Sequence, residues 1–216
     1  MTTTTPTNPG WRIQLAIHRA VRRDVSRLAT ALAEGQEATA AAVRAYWGVT
    51  AAQLHHHHEF EDTVVWPLMG ERLGARVETL LARNGHEHQA MAAAMEEFDA
   101  VLSTMTADTG AARAALGQME VAIETHLAHE EADVLPLIPE AFTMDDIAFF
   151  QTEDAKTNAA NVFLPWMLDD APEVDVAFFT GAMPEPVREQ LESIWMPQWL
   201  QTVDAVRQVA SRTSIA

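Results

Sequence analysis

Two stretches of the chain, HHEFEDTVVWPLMGE at residues 57–71 and HLAHEEADVLPLIPE at residues 126–140, decide how it folds. Laid over each other at a constant offset of 69, they pair His57 with His126, Glu61 with Glu130, Asp62 with Glu131, Val65 with Val134, Pro67 with Pro136, Leu68 with Leu137 and Glu71 with Glu140. The match extends upstream, because His18 lies 39 residues before His57 and His88 lies 38 before His126. Each half therefore reads as a helix with one inward His, followed by a helix with an inward His and Glu.

Working outward, the signal is helical throughout, with no period-two alternation beyond a few positions. An apolar seam Ile13, Ile17, Val21, Val25, Leu28, Leu32 predicts a first helix over about 11–34, stopping at Gly35. A second is expected over about 37–66, with Pro67 ending or kinking it. The third follows a turn around Gly70 and Gly74, carries Val77, Leu81, Asn84, His88, Met91, Met95, Phe98 and Leu102, and ends near Thr106. The fourth starts after Thr109-Gly110 and reaches Pro136. Short links between four long amphipathic helices give antiparallel neighbours, hence an all-α, up-down-up-down four-helix bundle over 11–140, after a disordered leader over 1–10. Residues 141–216 change composition, holding six of the eight Phe and three of the six Trp. They read as a helical extension packed on the bundle by apolar area, with a capped helix from Thr143 to about 168 and a last helix after Pro184 and Pro186.

The spacing then carries chemistry. An i,i+4 pair sits about 40° apart around a helix and roughly 6 Å along it, so His57 with Glu61, and His126 with Glu130, each aim two side chains at one point. His18, His57, Glu61, His88, His126 and Glu130 all fall on apolar seams, where unpaired ions would cost several kcal/mol each. A lone His on such a seam is ordinarily a hydrogen-bonded core residue; four with two Glu in duplicated spacing point to cations. Four imidazoles and two carboxylates exceed the needs of one ion and suit two iron or manganese ions, with Glu61 and Glu130 bridging. His88 is preferred to His86 because only His88 shares the Leu81–Phe98 stripe. In the run His55–His58, His57 is the one phased with Glu61, which leaves His55 and His58 as surface or supporting residues. His129 falls at the edge, Tyr46 in the core about 16 Å up the helix, and Asp62 and Glu131 accept hydrogen bonds from ligand imidazoles or are solvated acids.

Other chemistries are excluded. Fourteen Lys and Arg against 31 Asp and Glu leave a net charge of −17, which repels phosphate backbones and anionic lipid, so neither nucleic acid nor membrane is an expected partner. Without cysteine there are no thiolate metal sites, disulfides or Cys nucleophile. The chain holds no Glu-x-x-His, His-Glu-x-x-His or Gly-rich phosphate motif, and the absence of a secretion signal or apolar span predicts a cytoplasmic protein.

The pattern of a lone His, His-x-x-x-Glu, a lone His and a second His-x-x-x-Glu resembles the hemerythrin-like, or HHE cation-binding, family. The strings HHEFED and HLAHEE, each followed by Val-x-Pro-Leu, carry the resemblance over residues 11–140. It implies a non-haem di-iron centre, oxo- or hydroxo-bridged, that binds O2 or a related small oxidant. Oxygen-carrying members offer a second His one turn before the first on the third helix; here that position is Asn84. The resemblance thus leaves peroxide or nitric oxide chemistry open, in an oxygen-species binder, a catalase- or peroxidase-like enzyme, or an iron or redox sensor whose C-terminal helices respond to the metal. Those helices are also the expected surface for any homo-oligomer.

Overall fold

A computed structural model describes residues 8–33, 40–106 and 108–213, with side chains to residue 207. Gly35, the leader before residue 8 and the expected start of the second helix at 37 lie outside the described residues. Among them there is no strand, and no helix is long and apolar enough to cross a membrane. Helix α1 spans Pro9–Leu32; the Asn8 side chain accepts the Trp11 N–H at its start, and Pro9 fills the first position, where a missing N–H costs nothing. Helix α2 (Ala40–Phe60) continues through a π-helical turn, Glu61–Val65, into α3 (Trp66–Leu73). Gly74, at φ 56, ends α3 in a conformation that L side chains resist. Helix α4 (Glu78–Thr104) and α5 (Gly110–His129) follow, the latter continuing as a π turn, Glu130–Val134, and a short 3-10 turn.

The chain does not end its helix at Pro67. It widens by one residue just before it, and the same happens twice more: the turns Glu61–Val65, Glu130–Val134 and Leu191–Trp195 each begin six residues before a proline, at Pro67, Pro136 and Pro197. Proline lacks an N–H and its ring presses on the carbonyl four residues back, so the helix relieves the clash by closing i to i−5 bonds upstream. Trp66 donates to Glu61, Leu135 to Glu130 and Met196 to Leu191 in this way.

Helix α1 packs on α2 and α5, and α4 packs on the same two. The buried apolar residues form two clusters rather than one. The larger includes Val21, Leu28, Leu54, Met91, Phe98, Met119 and Ile123; the smaller includes Val65, Met69, Val77, Val134, Leu135 and Ile138, with Trp11 and Leu15 against it. Along α1 and α4 the chain passes from the small cluster to the large, and along α2 and α5 it passes back. Consecutive long helices therefore alternate in direction. Between the clusters lies a layer of buried polar side chains: Gln14, His18, His57, His58, Glu61, Asn84, His88, His126 and Glu130.

Beyond the short α6 (Ile138–Ala141), the extension comprises α7 (Met144–Asp154), α8 (Ala160–Leu168), α9 (Glu173–Gly181), α10 (Glu185–Gln190) and α11 (Met196–Thr213). Thr143 caps α7 reciprocally with Asp146, as its spacing predicts. The single helix expected to reach 168 is instead two, because the carbonyl of Asp154 turns back to accept the N–H groups of Thr157 and Asn158. Gly10 lets α7 approach α1: a Cβ there would lie 2.4 Å from Ile147 Cδ1. Helices α8 and α11 complete the large cluster with Phe163, Trp166, Trp199, Val203 and Val206.

Polar contacts fix that packing as well. Asp24, fully buried, accepts from Tyr46 Oη (2.6 Å), Thr50 Oγ1 (2.8 Å), Trp166 Nε1 (2.7 Å) and Arg23 Nε (2.7 Å). Arg27 donates to Tyr46 Oη, Asp169 and Asp170, and Trp199 Nε1 also donates to Asp169. Arg12, Arg19 and Arg23 on α1 reach Asp175, the Met167 carbonyl and the carbonyls of Trp166 and Asp169. An arginine row at 12, 19, 23 and 27 is the sequence signal for this interface, which aromatic content alone does not reveal.

Candidate metal centre

The π turns position the two carboxylates. Glu61 and Glu130 open their respective wide turns, each at most 1% exposed, with a histidine of the preceding α-helical turn four residues behind. Glu130 lies between His126 Nε2 (3.4 Å) and His18 Nε2 (3.2 Å). Glu61 lies between His57 Nε2 (3.5 Å) and His88 Nε2 (3.6 Å). Each carboxylate thus stands between an imidazole of its own helix and one from the other half of the repeat. All six sequence-predicted residues are brought together.

A seventh joins them. His58, expected at the surface or in support, is 7% exposed and stacks on His88 with ring centroids 4.2 Å apart. Donor atoms of His58, His88 and His126 lie within 4.8 Å of one another, as do those of His18, His57 and Glu130, and those of Glu61, His126 and Glu130. The misplacement has a physical cause: a helix with two neighbours has an inward arc wide enough for two consecutive residues, here His57 and His58, as it is for His126 and Leu127 at the matching positions of α5. His57 turns toward α1, its ring 5.5 Å from that of His18, and His58 turns toward α4. His55 and His86 are exposed, and His129 sits at the edge, giving its Nδ1 proton to Glu87 (2.6 Å).

Carboxylates outside the cluster fix the imidazole tautomers. Nδ1 of His18 faces Glu131 (2.9 Å), Nδ1 of His88 faces Asp62 (3.0 Å) and Nδ1 of His126 faces Glu87 (3.3 Å). With its proton on the Nδ1 side, a neutral ring directs the Nε2 lone pair inward. Asp62 and Glu131 therefore hold imidazoles, as their repeat positions suggest; Glu87 does the same without a repeat counterpart to announce it. The inward atoms have no hydrogen-bond partner: Nε2 of His18, His57, His58, His88 and His126, Oε2 of Glu61 and both oxygens of Glu130 are buried and unsatisfied among the described residues. Apart from the close approach of His18 and Glu130, leaving such atoms orphaned would cost on the order of 1–3 kcal/mol each, a cost that a ligand shared among them would remove.

Electrostatics agrees with a cation. Burial, reinforced by neighbouring imidazoles, holds His57 and His58 well below the ordinary histidine range, and burial with His126 lowers His88 as well. Neutral rings are the form that binds metal. Burial would also depress His18, but Glu130 and Glu131 outweigh it and raise that imidazole to about 9. Burial and the facing Glu130 push Glu61 far up, whereas the charge of His18 and the close approach of the His126 and His18 rings overcome burial and hold Glu130 far down. Five nitrogen donors and two carboxylates, all borderline or hard and none sulfur, suit a cation such as iron or manganese.

The comparisons with known proteins point the same way. Residues 10–138 match the family described as hemerythrin HHE cation binding domain, and the chain belongs to that family. It is similar to the zinc finger protein BRUTUS of Arabidopsis thaliana, at 24% identity over 210 residues, covering 90% of this chain and 16% of that protein. No solved structure matches. The cation-binding character that the family name states is matched by the clustered His and Glu donors.

Proposed function

We propose that the protein is a non-haem di-iron protein that binds or reduces a small oxygen species such as O2, H2O2 or NO. The observation that carries this reading is the set of five inward Nε2 atoms, Oε2 of Glu61 and both oxygens of Glu130, buried, convergent and without a hydrogen-bond partner. His58, His88 and His126 would hold one ion, His18 and His57 the other, and Glu61 and Glu130 would span both. Bound iron would supply redox chemistry and Lewis acidity toward the small oxidant. The chain's own residues do the rest: Glu131, Asp62 and Glu87 keep the rings oriented, and the large apolar cluster, with Leu54, Met91 and Ile123, borders the polar layer on one side.

Metal analysis of protein as purified, with its optical spectrum, tests this reading. Two iron per chain are expected; iron-free protein that reconstitutes to only one metal per chain would overturn the dinuclear assignment. Turnover of H2O2 that disappears in Glu61→Ala would identify catalase- or peroxidase-like chemistry.

A second reading is an iron or redox sensor, favoured by the way α1 carries His18 and, on the following turns, Arg19, Arg23 and Arg27, which hold α8 and the loop after it. In a sensor, metal removal changes the proteolytic cleavage of residues 141–216; identical cleavage with and without iron argues against it.

A further inference from the structure

The buried centre has an opening on one side. A groove of about 560 Å³ between α2 and α4 runs from solvent to the imidazoles of His58 and His88. Its floor is formed by these two rings, each 6–7% exposed and each with an unpartnered Nε2. Neither His18, His57 nor Glu130 lines it. The groove therefore reaches one imidazole cluster and not the other.

The walls have one sign of charge. Glu59, Asp62, Glu96 and Asp99 line the groove, and no Lys or Arg does. Asp62 accepts from His88 Nδ1, and Asp99 accepts from Trp47 Nε1 at 2.6 Å. Glu59 and Glu96 are exposed and have no ion-pair partner among the described residues. Carboxylates at the mouth of a cleft with low-dielectric walls concentrate cations and repel anions, raising cation on-rates by roughly 10–10³-fold at low salt. At the bottom, neutral nitrogens accept the cation that the mouth attracts.

We propose that the α2–α4 groove is the loading port for divalent iron: Glu59 and Glu96 draw the hydrated ion in, and His58 and His88 take it from water. This rests on the reading of the buried cluster as a metal centre and adds the route and the charge of what reaches it. No covalent or redox step is involved, only exchange of water for imidazole.

The test uses full-length, metal-free protein mixed anaerobically with Fe2+, with a ferrous chelator added at successive times to capture iron not yet bound. In the double variant Glu59→Gln, Glu96→Gln, uptake at low ionic strength is expected to slow about tenfold and to converge on the wild-type rate at high salt, with unchanged final stoichiometry. A plug in the wall, Ala92→Trp on the exposed face of α4, is expected to slow uptake at every salt concentration. If the double variant loads at the wild-type rate at low salt while still reaching two iron per chain, the port is wrong and the metal centre stands. If wild-type protein itself retains no iron at equilibrium, the metal centre falls and the port with it. The double variant decides the matter even where Ala92→Trp fails to fold.

Discussion

The two halves of the repeat use the same residues to build unlike environments. Glu61 and Glu130 open identical π turns, each six residues before a proline, and both are out of contact with water. Yet Glu61 is held toward its protonated form by burial and by Glu130, while His18 and His126 keep Glu130 ionised. At the offset of 69, His58 of the first half faces Leu127 of the second, so only α2 contributes an additional imidazole. Four residues before each lone histidine stands an amide: Gln14 before His18, donating to Glu61 Oε1 at 2.6 Å, and Asn84 before His88, fully buried with neither amide atom bonded. Sequence duplication delivers a symmetric frame of imidazoles and carboxylates, and single differences in side-chain length and charge then make the two carboxylates chemically distinct.

The largest expected break in this comparison comes from neutralising each carboxylate in metal-free protein. Glu130→Gln leaves His18 without its buried counter-charge and is expected to lower stability by about 3 kcal/mol, read as a fall in Tm. Glu61→Gln is expected to act with the opposite sign at neutral pH, because it replaces a carboxylate whose charged form the fold disfavours. The pH dependence separates them. Glu61, raised in the folded state, contributes stability that is fully present below the unfolded carboxylate pKa and lost as pH rises through its folded value; Glu130, depressed, contributes stability present above the unfolded value and lost as pH falls through the folded one. Denaturant melts of the metal-free variants from pH 4 to 8 check this. Loss of stability at neutral pH in both variants would mean that the two carboxylates are equivalent after all.

A smaller effect, confined to one metal position, is expected from His58. Replacement by Leu, the residue that the second half carries, removes one of three clustered imidazoles without leaving a void. Affinity for the second equivalent of iron is expected to drop by about 100-fold or more, beyond what loss of a supporting partner costs, while the first equivalent is retained. Titration with Fe2+ reads both. Unchanged affinity would return His58 to the supporting role that its place in the sequence suggests.

How much of this was legible follows from what periodicity can see. The repeat and the i,i+4 pairs bring six side chains into one buried layer because each falls on the inward arc of its helix. Each long helix faces two neighbours and buries consecutive residues, His57 with His58 in α2 and His126 with Leu127 in α5, so a one-stripe reading must choose between His57 and His58 where the structure buries both. Pro67 signals a break in any local reading, but tertiary packing on both sides of the turn keeps the helix going and converts the break into a π turn. The arginine row on α1 was visible in the sequence, yet its partners, backbone carbonyls and aspartates some 140 residues away, have no local signature. The pairing of Gln14 with Asn84 likewise acquires meaning only once Glu61 is seen to accept from one of them.

That pairing gives the smallest and sharpest prediction. Asn84 is one methylene shorter than Gln14, and Glu130, its counterpart acceptor by the repeat, has both oxygens without a hydrogen bond. In metal-free Asn84→Gln the longer side chain is expected to reach Glu130 as Gln14 reaches Glu61. The gain is about 1 kcal/mol for a hydrogen bond to a charged acceptor, less whatever the added methylene costs in packing. In a chain of this size that corresponds to a rise of about 2–4 °C in Tm. The reciprocal change, Gln14→Asn, is expected to lower Tm by a similar amount by withdrawing the donor from Glu61. A hydrogen bond to Glu130 competes with cations for the same oxygens, so Asn84→Gln should also weaken iron binding while it stabilises the metal-free fold. A variant that melts higher without losing affinity would place Asn84 elsewhere in the polar layer, away from the carboxylate that the repeat assigns to it.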